Sequence, residues 1–74
     1  YIYGEVAHSG AYPVKAGMTI MQAISVGGGI TPRGSEHRIK LRRVEGDGKT
    51  REYDAKLVDV IKPDDVVFVK ESLF

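Results

Sequence analysis

The clearest hydrophobic pattern in the chain is a short amphipathic helix followed by a run of glycines. The apolar side chains of Ile20, Met21 and Ile24 share one side of this helix, which predicts a stripe that packs on a sheet. Thr19 stands at the N-cap position, where its hydroxyl can accept a free backbone N–H, with a capping box to the glutamine three residues later. The glycines at 27–29 are expected to end the helix, because glycine readily adopts a positive φ.

Alternating bulky and small or polar residues predict a first hairpin before this helix. Residues 1–6 and 11–14 are interpreted as two strands joined by a turn at 7–10. Gly10 is expected to take the left-handed position of that turn. Pro13 suits an edge strand, since proline donates no ladder hydrogen bond.

A second, more exposed hairpin is predicted after the helix. A polar connection at 33–37 leads to residues 38–42, which alternate strictly between charged and apolar side chains,. The alternation breaks at 43–44, which predicts a bulge or a sheet edge. A strong turn signal at 45–48 then leads to a polar partner strand at 49–54.

The last strand is predicted to lie in the middle of the sheet. Residues 66–69 form a continuous apolar run, which is typical of a strand covered on both faces. The preceding residues 55–62 show no clear period and are expected to be irregular or 3₁₀-like, with a turn at 63–65. This order of elements predicts an α+β fold, a β-grasp, in which one short helix packs across a mixed four- to five-stranded sheet. The helix stripe is expected to lie against Val66, Phe68, Ile39 and Leu41.

Composition indicates one small domain, residues 1–74. A chain of 74 residues is too short to form two cores,. Apolar residues make up 42% of it, and no apolar run approaches the roughly 20 residues of a transmembrane helix,. The first residue is not methionine, so the domain is expected to be excised from a longer protein. The net charge of +1 does not favour a nucleic-acid partner,.

No residue pattern indicates catalysis, a metal or a cofactor. The chain has no cysteine, which excludes disulfides and thiolate chemistry,. His8 and His37 fall in predicted loops, and neither has a second histidine or a carboxylate at a metal-site or triad spacing. The glycine run is not a phosphate-binding loop of the usual kind, because it closes a helix instead of opening one. The expectation is a protein that is not an enzyme.

Basic residues are concentrated in one segment, which makes it the best candidate for a contact surface. The segment contains Arg33, Arg38, Lys40, Arg42 and Arg43. On a strand, its members at 38, 40 and 42 form an outward row that suits an acidic polymer, a carboxylated sugar or an acidic neighbouring subunit. The alternative is a solvated face, in which Glu52 and Asp54 of the facing strand neutralise the row.

The candidate residues for contact with a ligand or another subunit come from this segment and from the first hairpin. They are Arg33, His37, Arg38, Lys40, Arg42, His8 and Tyr12. The two hairpin residues are included because a neighbouring subunit or a passing glycan can reach that turn. The four tyrosines are suited to stacking on sugars, but in a domain without tryptophan the interpretation we favour is half-buried sheet residues,.

Several short motifs, taken in order, resemble one known family. They are Tyr3-Gly4-Glu5-Val6, Gly10-Ala11-Tyr12-Pro13, Gly17-Met18-Thr19, Ala23-Ile24, Gly28-Gly29-Ile30-Thr31-Pro32 and Ile61-Lys62-Pro63-Asp64-Asp65-Val66. Their order and spacing resemble the soluble-ligand-binding β-grasp (SLBB) domain of outer-membrane polysaccharide export proteins, and residues 71–74 resemble the end of such proteins. The family usually has glycine where this chain has Asp64, so the resemblance does not fix a positive-φ turn at this position; aspartate tolerates that region better than most residues.

The resemblance implies a non-enzymatic periplasmic module that is associated with the outer membrane through its parent protein. Such a module packs with copies of itself in a ring, works with an inner-membrane export or polymerase component, and contacts the exported capsular or extracellular polysaccharide. SLBB domains also occur in cobalamin-binding proteins, so the fold alone does not fix the ligand. The alternative is a stand-alone domain that binds a small soluble ligand, either a sugar or a cobalamin-like molecule.

Overall fold

Four strands and one helix make up the computed structural model, which describes residues 1–73; Phe74, the last residue of the predicted domain, lies outside them. The elements are β1 (Ile2–Gly4), α1 (Ile20–Val26), β2 (Gly34–Val44), β3 (Thr50–Ala55) and β4 (Val66–Glu71). The sheet order is β1-β4-β2-β3, with β1 parallel to β4 and the other neighbours antiparallel. This mixed sheet with one helix confirms the predicted α+β class and is compatible with a β-grasp.

The predicted signals at both ends of α1 are confirmed. Gln22 N donates to Thr19 Oγ1 over 3.2 Å, and Thr19 N donates to Gln22 Oε1 over 2.9 Å, so the capping box is complete,. At the other end, Gly28 and Gly29 take φ values of 89° and 90°. A side chain rarely adopts this conformation, which explains why glycines stand there.

The prediction that Met21 belongs to the buried side of the helix is wrong. Ile20, Ala23 and Ile24 are buried, but Met21 is 53% exposed. The buried residues are spaced three and four apart and therefore share one side of the helix. Met21 is one residue after Ile20, so its side chain points about 100° around the helix axis from that of Ile20 and leaves the side that faces the sheet.

The predicted first hairpin is not formed as expected. Residues 11–14 form no strand, and Gly10 instead makes an isolated pair of hydrogen bonds with Ile2, each 2.9 Å long. The left-handed glycine in this region is Gly4, with a φ of 93°, and Gly10 has no positive φ. The cause is tertiary, because β1 finds its main partner in β4, about 65 residues further along the chain.

The second hairpin is confirmed, but its first strand is longer than predicted. β2 includes the residues at 34–37 that were expected to be a polar connection, and β4 pairs with this part through Gly34 and Glu71. The irregularity in pairing lies between Gly34 and Ile39, whereas residues 43–44 pair regularly with β3. Of the two alternatives predicted at 43–44, the bulge is therefore wrong, whereas the sheet edge agrees with the structure, because residues 43–44 have no partner on β4.

Strand β4 is an interior strand, as predicted, but only one of its faces is fully buried. Val67 and Val69 are 1% and 0% exposed, whereas Val66 and Phe68 are half-buried. The predicted packing of the helix on Val66 and Phe68 is therefore wrong, because the buried core lies on the opposite face of the strand. One short helix can cover only one face of a sheet.

The core lies between α1 and that covered face of the sheet. Its buried apolar members are Ile2, Val6, Ile20, Ala23, Ile24, Ile39, Leu41, Ala55, Ile61, Val67 and Val69. Between β3 and β4, residues 56–65 form turns and no helix, which confirms the predicted irregular segment. Asp64 has a φ of 71°, so the last turn keeps the positive φ that the replacement of the family's glycine by aspartate had left open. Within residues 1–73, no helix has the length and apolar character needed to cross a membrane.

Candidate functional site

The face of the sheet opposite α1 carries the most distinctive group of side chains, and we call it the open face. It comprises Tyr3, Lys40, Arg42, Glu52, Asp54, Val66 and Phe68. The strand register explains this grouping, because side chains of directly paired residues lie on the same face. One cross-strand row contains Tyr3, Phe68, Lys40 and Asp54, and the next contains Val66, Arg42 and Glu52.

An aromatic pair occupies the β1 and β4 side of the open face. The rings of Tyr3 and Phe68 stack with centroids 4.7 Å apart and planes 22° apart. Tyr1 approaches Tyr3 in a tilted arrangement, with centroids 6.2 Å apart. Gly4 makes room for this pair, because a Cβ at that position would lie 2.8 Å from the Phe68 ring. Together with Val66, the two stacked rings form an apolar strip along one half of the open face.

Ion pairs occupy the β2 and β3 side of the open face. Lys40 Nζ donates to Asp54 Oδ1, and Arg42 Nη2 donates to Glu52 Oε2 over 3.3 Å. The hydrogen bond to Asp54 raises the pKa of Lys40, and the same bond lowers the pKa of Asp54,. Both changes favour the charged forms at neutral pH. The four side chains together carry no net charge.

A small hollow lies between the apolar strip and the ion pairs. Its volume is about 20 Å³, and it is lined by Tyr3, Lys40, Arg42, Glu52, Val66 and Phe68. This space suffices for about one water molecule. A ligand would therefore lie across the open face and not enter it.

The structure does not bring the seven candidate contact residues together. Lys40 and Arg42 lie on the open face, whereas Arg33 and Arg38 turn toward the end of β4. There Arg33 Nη2 lies 3.1 Å from the Glu71 carboxylate, and Arg38 Nη1 donates to the Glu71 carbonyl. The hydrogen bond to Glu71 raises the pKa of Arg33. The predicted single row of basic side chains is therefore divided between two places.

His37 lies at a separate hollow, of about 390 Å³, formed where β2 begins and β3 ends. Its lining residues are Glu36, His37, Ala55, Lys56, Leu57 and Val58. The His37 ring is highly exposed, and its Nε2 is 3.5 Å from the Glu36 carboxylate. This volume is within the range of small-ligand sites, but the hollow is open to solvent.

His8 and Tyr12 lie on the loop that follows β1, where that loop packs on the glycines after α1. His8 N donates to Gly27 O over 2.8 Å, and the Tyr12 hydroxyl donates to His8 O. A Cβ at Gly28 would lie 2.8 Å from the His8 ring. The glycines therefore form the surface on which this loop rests, in addition to ending the helix.

Sequence reasoning placed Arg43 in the basic segment but missed its buried partner. Arg43 Nε and Nη2 donate to the two carboxylate oxygens of Asp65 over 3.0 and 2.7 Å. The Asp65 side chain is only 2% exposed and also accepts from Lys62 N over 2.8 Å. The hydrogen bond to Asp65 raises the pKa of Arg43. This pair joins β2 to the turn before β4, so we assign it a structural role.

Sequence reasoning also missed the pairing of Tyr3 with Phe68, because it assigned Phe68 to the helix side of the sheet. A strand covered on one face buries alternate residues, and the continuous apolar run at 66–69 concealed that alternation. Within residues 1–73, no group of three or more histidine, aspartate or glutamate side chains is arranged to hold a metal ion.

Comparison with protein families gives one match to this chain. The family model described as the SLBB domain matches residues 1–54, which is 54 of the 74 residues. The matched part includes β1, α1, β2 and most of β3. Comparison with curated proteins and comparison with solved structures both gave no match.

Proposed function

This chain belongs to the SLBB domain family, and from that premise we propose that it is a non-enzymatic periplasmic module of a polysaccharide export machine. Membership indicates a soluble-ligand-binding module. We place it with a capsular or extracellular polysaccharide exporter, associated with the outer membrane through a longer parent protein. Its proposed partners are copies of itself in a ring, the exported glycan, and an inner-membrane export or polymerase component. A nucleic-acid partner is not part of the proposal.

The observation that supports this proposal is the open face. It combines the stacked rings of Tyr3 and Phe68 with two ion pairs at the surface of the sheet. Aromatic side chains and charged groups that both donate and accept hydrogen bonds are suited to contacts with a hydrated polymer or another subunit. Because the hollow holds only about one water,, this face offers a contact surface and not an enclosed reaction chamber.

The use of the titratable groups supports a role without catalysis. A general acid or base works best with a pKa near the operating pH. The Lys40–Asp54 hydrogen bond moves both pKa values away from neutrality, that of Lys40 upward and that of Asp54 downward. Arg42 is paired with Glu52 as well. The charged groups of the open face therefore form ion pairs with each other, which is a structural use of these side chains.

The ring and the export role are tested on the full-length parent protein. We expect native mass spectrometry and electron microscopy of the protein in detergent to show a closed ring of identical subunits. We also expect deletion of its gene to abolish surface polysaccharide, and complementation to restore it. A protein that stays monomeric at all concentrations, in a strain whose surface polysaccharide is unchanged by the deletion, would contradict the proposal.

A second candidate function is the binding of a small soluble ligand, a sugar or a cobalamin-like molecule. The hollow of about 390 Å³ beside His37 favours it, because the apolar side chains of Leu57 and Val58 lie there next to charged groups,. Calorimetric titration with monosaccharides and with cobalamin tests this function. Saturable binding that is lost in Leu57→Asp, with the fold retained, would support it over the export role.

A further inference from the structure

We infer that the open face binds a segment of the glycan that carries no net charge. This inference rests on the proposed function, because it names the class of polymer that the same module contacts. It also differs from the expectation drawn from the sequence, in which the basic row met an acidic polymer or a carboxylated sugar.

The charge balance of the open face argues against a polyanion. Lys40 and Arg42 of β2 each have a carboxylate directly opposite on β3, Asp54 and Glu52 respectively. A carboxylated sugar would have to displace one of these protein carboxylates or lie close to it. Like charges at such short range repel each other, and both carboxylates remain accessible at the surface,.

Lys70 is the next residue of β4 that points to this side, and it does not line the central hollow. Its charge acts on Asp54 and lowers the pKa of that carboxyl further. Lys70 therefore reinforces the ionised state of Asp54 and adds one positive charge beside the two ion pairs. The remaining nearby cations, Arg33 and Arg38, are held at Glu71.

The division of the open face into two strips matches the amphipathic character of a neutral sugar. A pyranose ring has an apolar face of C–H groups and a rim of hydroxyls. The strip of Tyr3, Val66 and Phe68 offers apolar contact on β1 and β4. The adjacent ion pairs offer both donors and acceptors, and a hydroxyl can use either kind. An extended chain lying along the strands would contact both strips.

A second copy of the chain fits this face less well. Residues that dominate protein–protein binding usually fill well-packed pockets in the partner. The hollow here has room for about one water, so it does not accept an inserted side chain,. Docking of a subunit would also bury two ion pairs, and the cost of removing their hydration often exceeds the gain.

The test is an NMR titration of the ¹⁵N-labelled chain with two probes of equal length, a neutral glucose hexasaccharide and hexagalacturonate. We expect the neutral probe to shift the backbone amides of open-face residues and hexagalacturonate to leave them unchanged. Phe68→Leu should weaken binding of the neutral probe about fivefold or more, since it removes a ring that can stack while keeping an apolar side chain.

A charge variant provides an independent measurement that does not depend on the aromatic pair. Glu52→Gln removes the negative charge beside Arg42, so hexagalacturonate should now shift open-face amides at low salt, where it leaves those of the wild type unchanged, and this gain should disappear at high salt. Glu36→Gln is the matched control, because it removes one exposed carboxylate at the other hollow. It should leave the response to both probes unchanged.

Three results would overturn the inference and leave the export role to be decided by the ring and deletion experiments. The first is stronger binding of hexagalacturonate than of the neutral probe by the wild type. The second is the absence of shifts with either probe, or shifts confined to the hollow beside His37. The third is a set of concentration-dependent shifts on the open face without any sugar, which would identify a second copy of the chain as its occupant.

Discussion

Replacing Asp65 with alanine tests whether the buried ion pair with Arg43 holds the last strand in place. The change removes the acceptor of two hydrogen bonds from the guanidinium and one from Lys62 N. Breaking one side of a buried pair costs about 3–5 kcal/mol. Since the Arg43 side chain remains 20% exposed and can regain some hydration, we expect a loss of about 3 kcal/mol,.

That loss is large for a domain of this size. At about 0.05–0.15 kcal/mol per residue, the free energy of unfolding of 74 residues is roughly 4–11 kcal/mol,. A loss of about 3 kcal/mol raises the unfolding constant roughly a hundredfold. With a urea dependence near 1 kcal/mol per molar, the denaturation midpoint should fall by about 3 M. Urea titration followed by far-ultraviolet circular dichroism measures this shift.

Glu52→Ala is the matched control, because it also shortens an ion-paired acidic side chain to a methyl group. The Glu52 and Arg42 side chains are 49% and 53% exposed, so their pair should contribute less than about 1 kcal/mol,. The reasoning is refuted if Asp65→Ala moves the midpoint no further than Glu52→Ala does. Equal effects would mean that burial adds nothing to the strength of the pair.

Three further predictions concern packing and titration. Gly4→Ala should lower the free energy of unfolding by about 3 kcal/mol or more, since its Cβ would lie 2.3 Å from a β4 carbonyl oxygen at a φ of 93°,. Gly46→Ala, whose Cβ would have nothing within 4 Å, should change it by less than about 0.5 kcal/mol,. Equal midpoints of the two variants in thermal melts would contradict this. Ile20→Ala should cost about 2–5 kcal/mol and Met21→Ala under about 1 kcal/mol in urea titrations,, and the reverse order would place the wrong side of the helix on the sheet. The pKa of Asp54 should lie below its ordinary value because of the hydrogen bond from Lys40. The pair therefore stabilises the fold above about pH 4, and this contribution is lost as the pH falls through the folded pKa. A carboxyl NMR titration of Asp54 that is unchanged in Lys40→Met would disprove this.

The sequence predicted the local features of the fold well, because each depends on neighbouring residues. The N-cap at Thr19 and the positive φ at Gly28 and Gly29 follow from short-range hydrogen bonding and steric limits,. The turn between β2 and β3 follows in the same way, with Gly48 at a φ of 80°. The positive φ of Asp64 was left open by the sequence, and the structure decides it.

The candidate site was predicted less completely, since its members come from distant parts of the chain. Sequence reasoning identified Lys40 and Arg42 and offered Glu52 and Asp54 as partners that would neutralise them, and the ion pairs are present. It did not find the aromatic pair, whose two residues are 65 positions apart. Whether any of these residues binds a ligand stays a prediction.

The sequence by itself determined where the helix starts and stops, which strands form the second hairpin, and which family the chain resembles. Only the tertiary structure decided that β1 pairs in parallel with β4 and that Phe68 stands on the open face beside Tyr3. It also decided that Asp65 is a buried partner of Arg43 and not simply a turn residue. The physical reason is that caps and turns are fixed by interactions over a few residues, whereas strand order, register and the covered face depend on how one helix and four strands bury their apolar surface together.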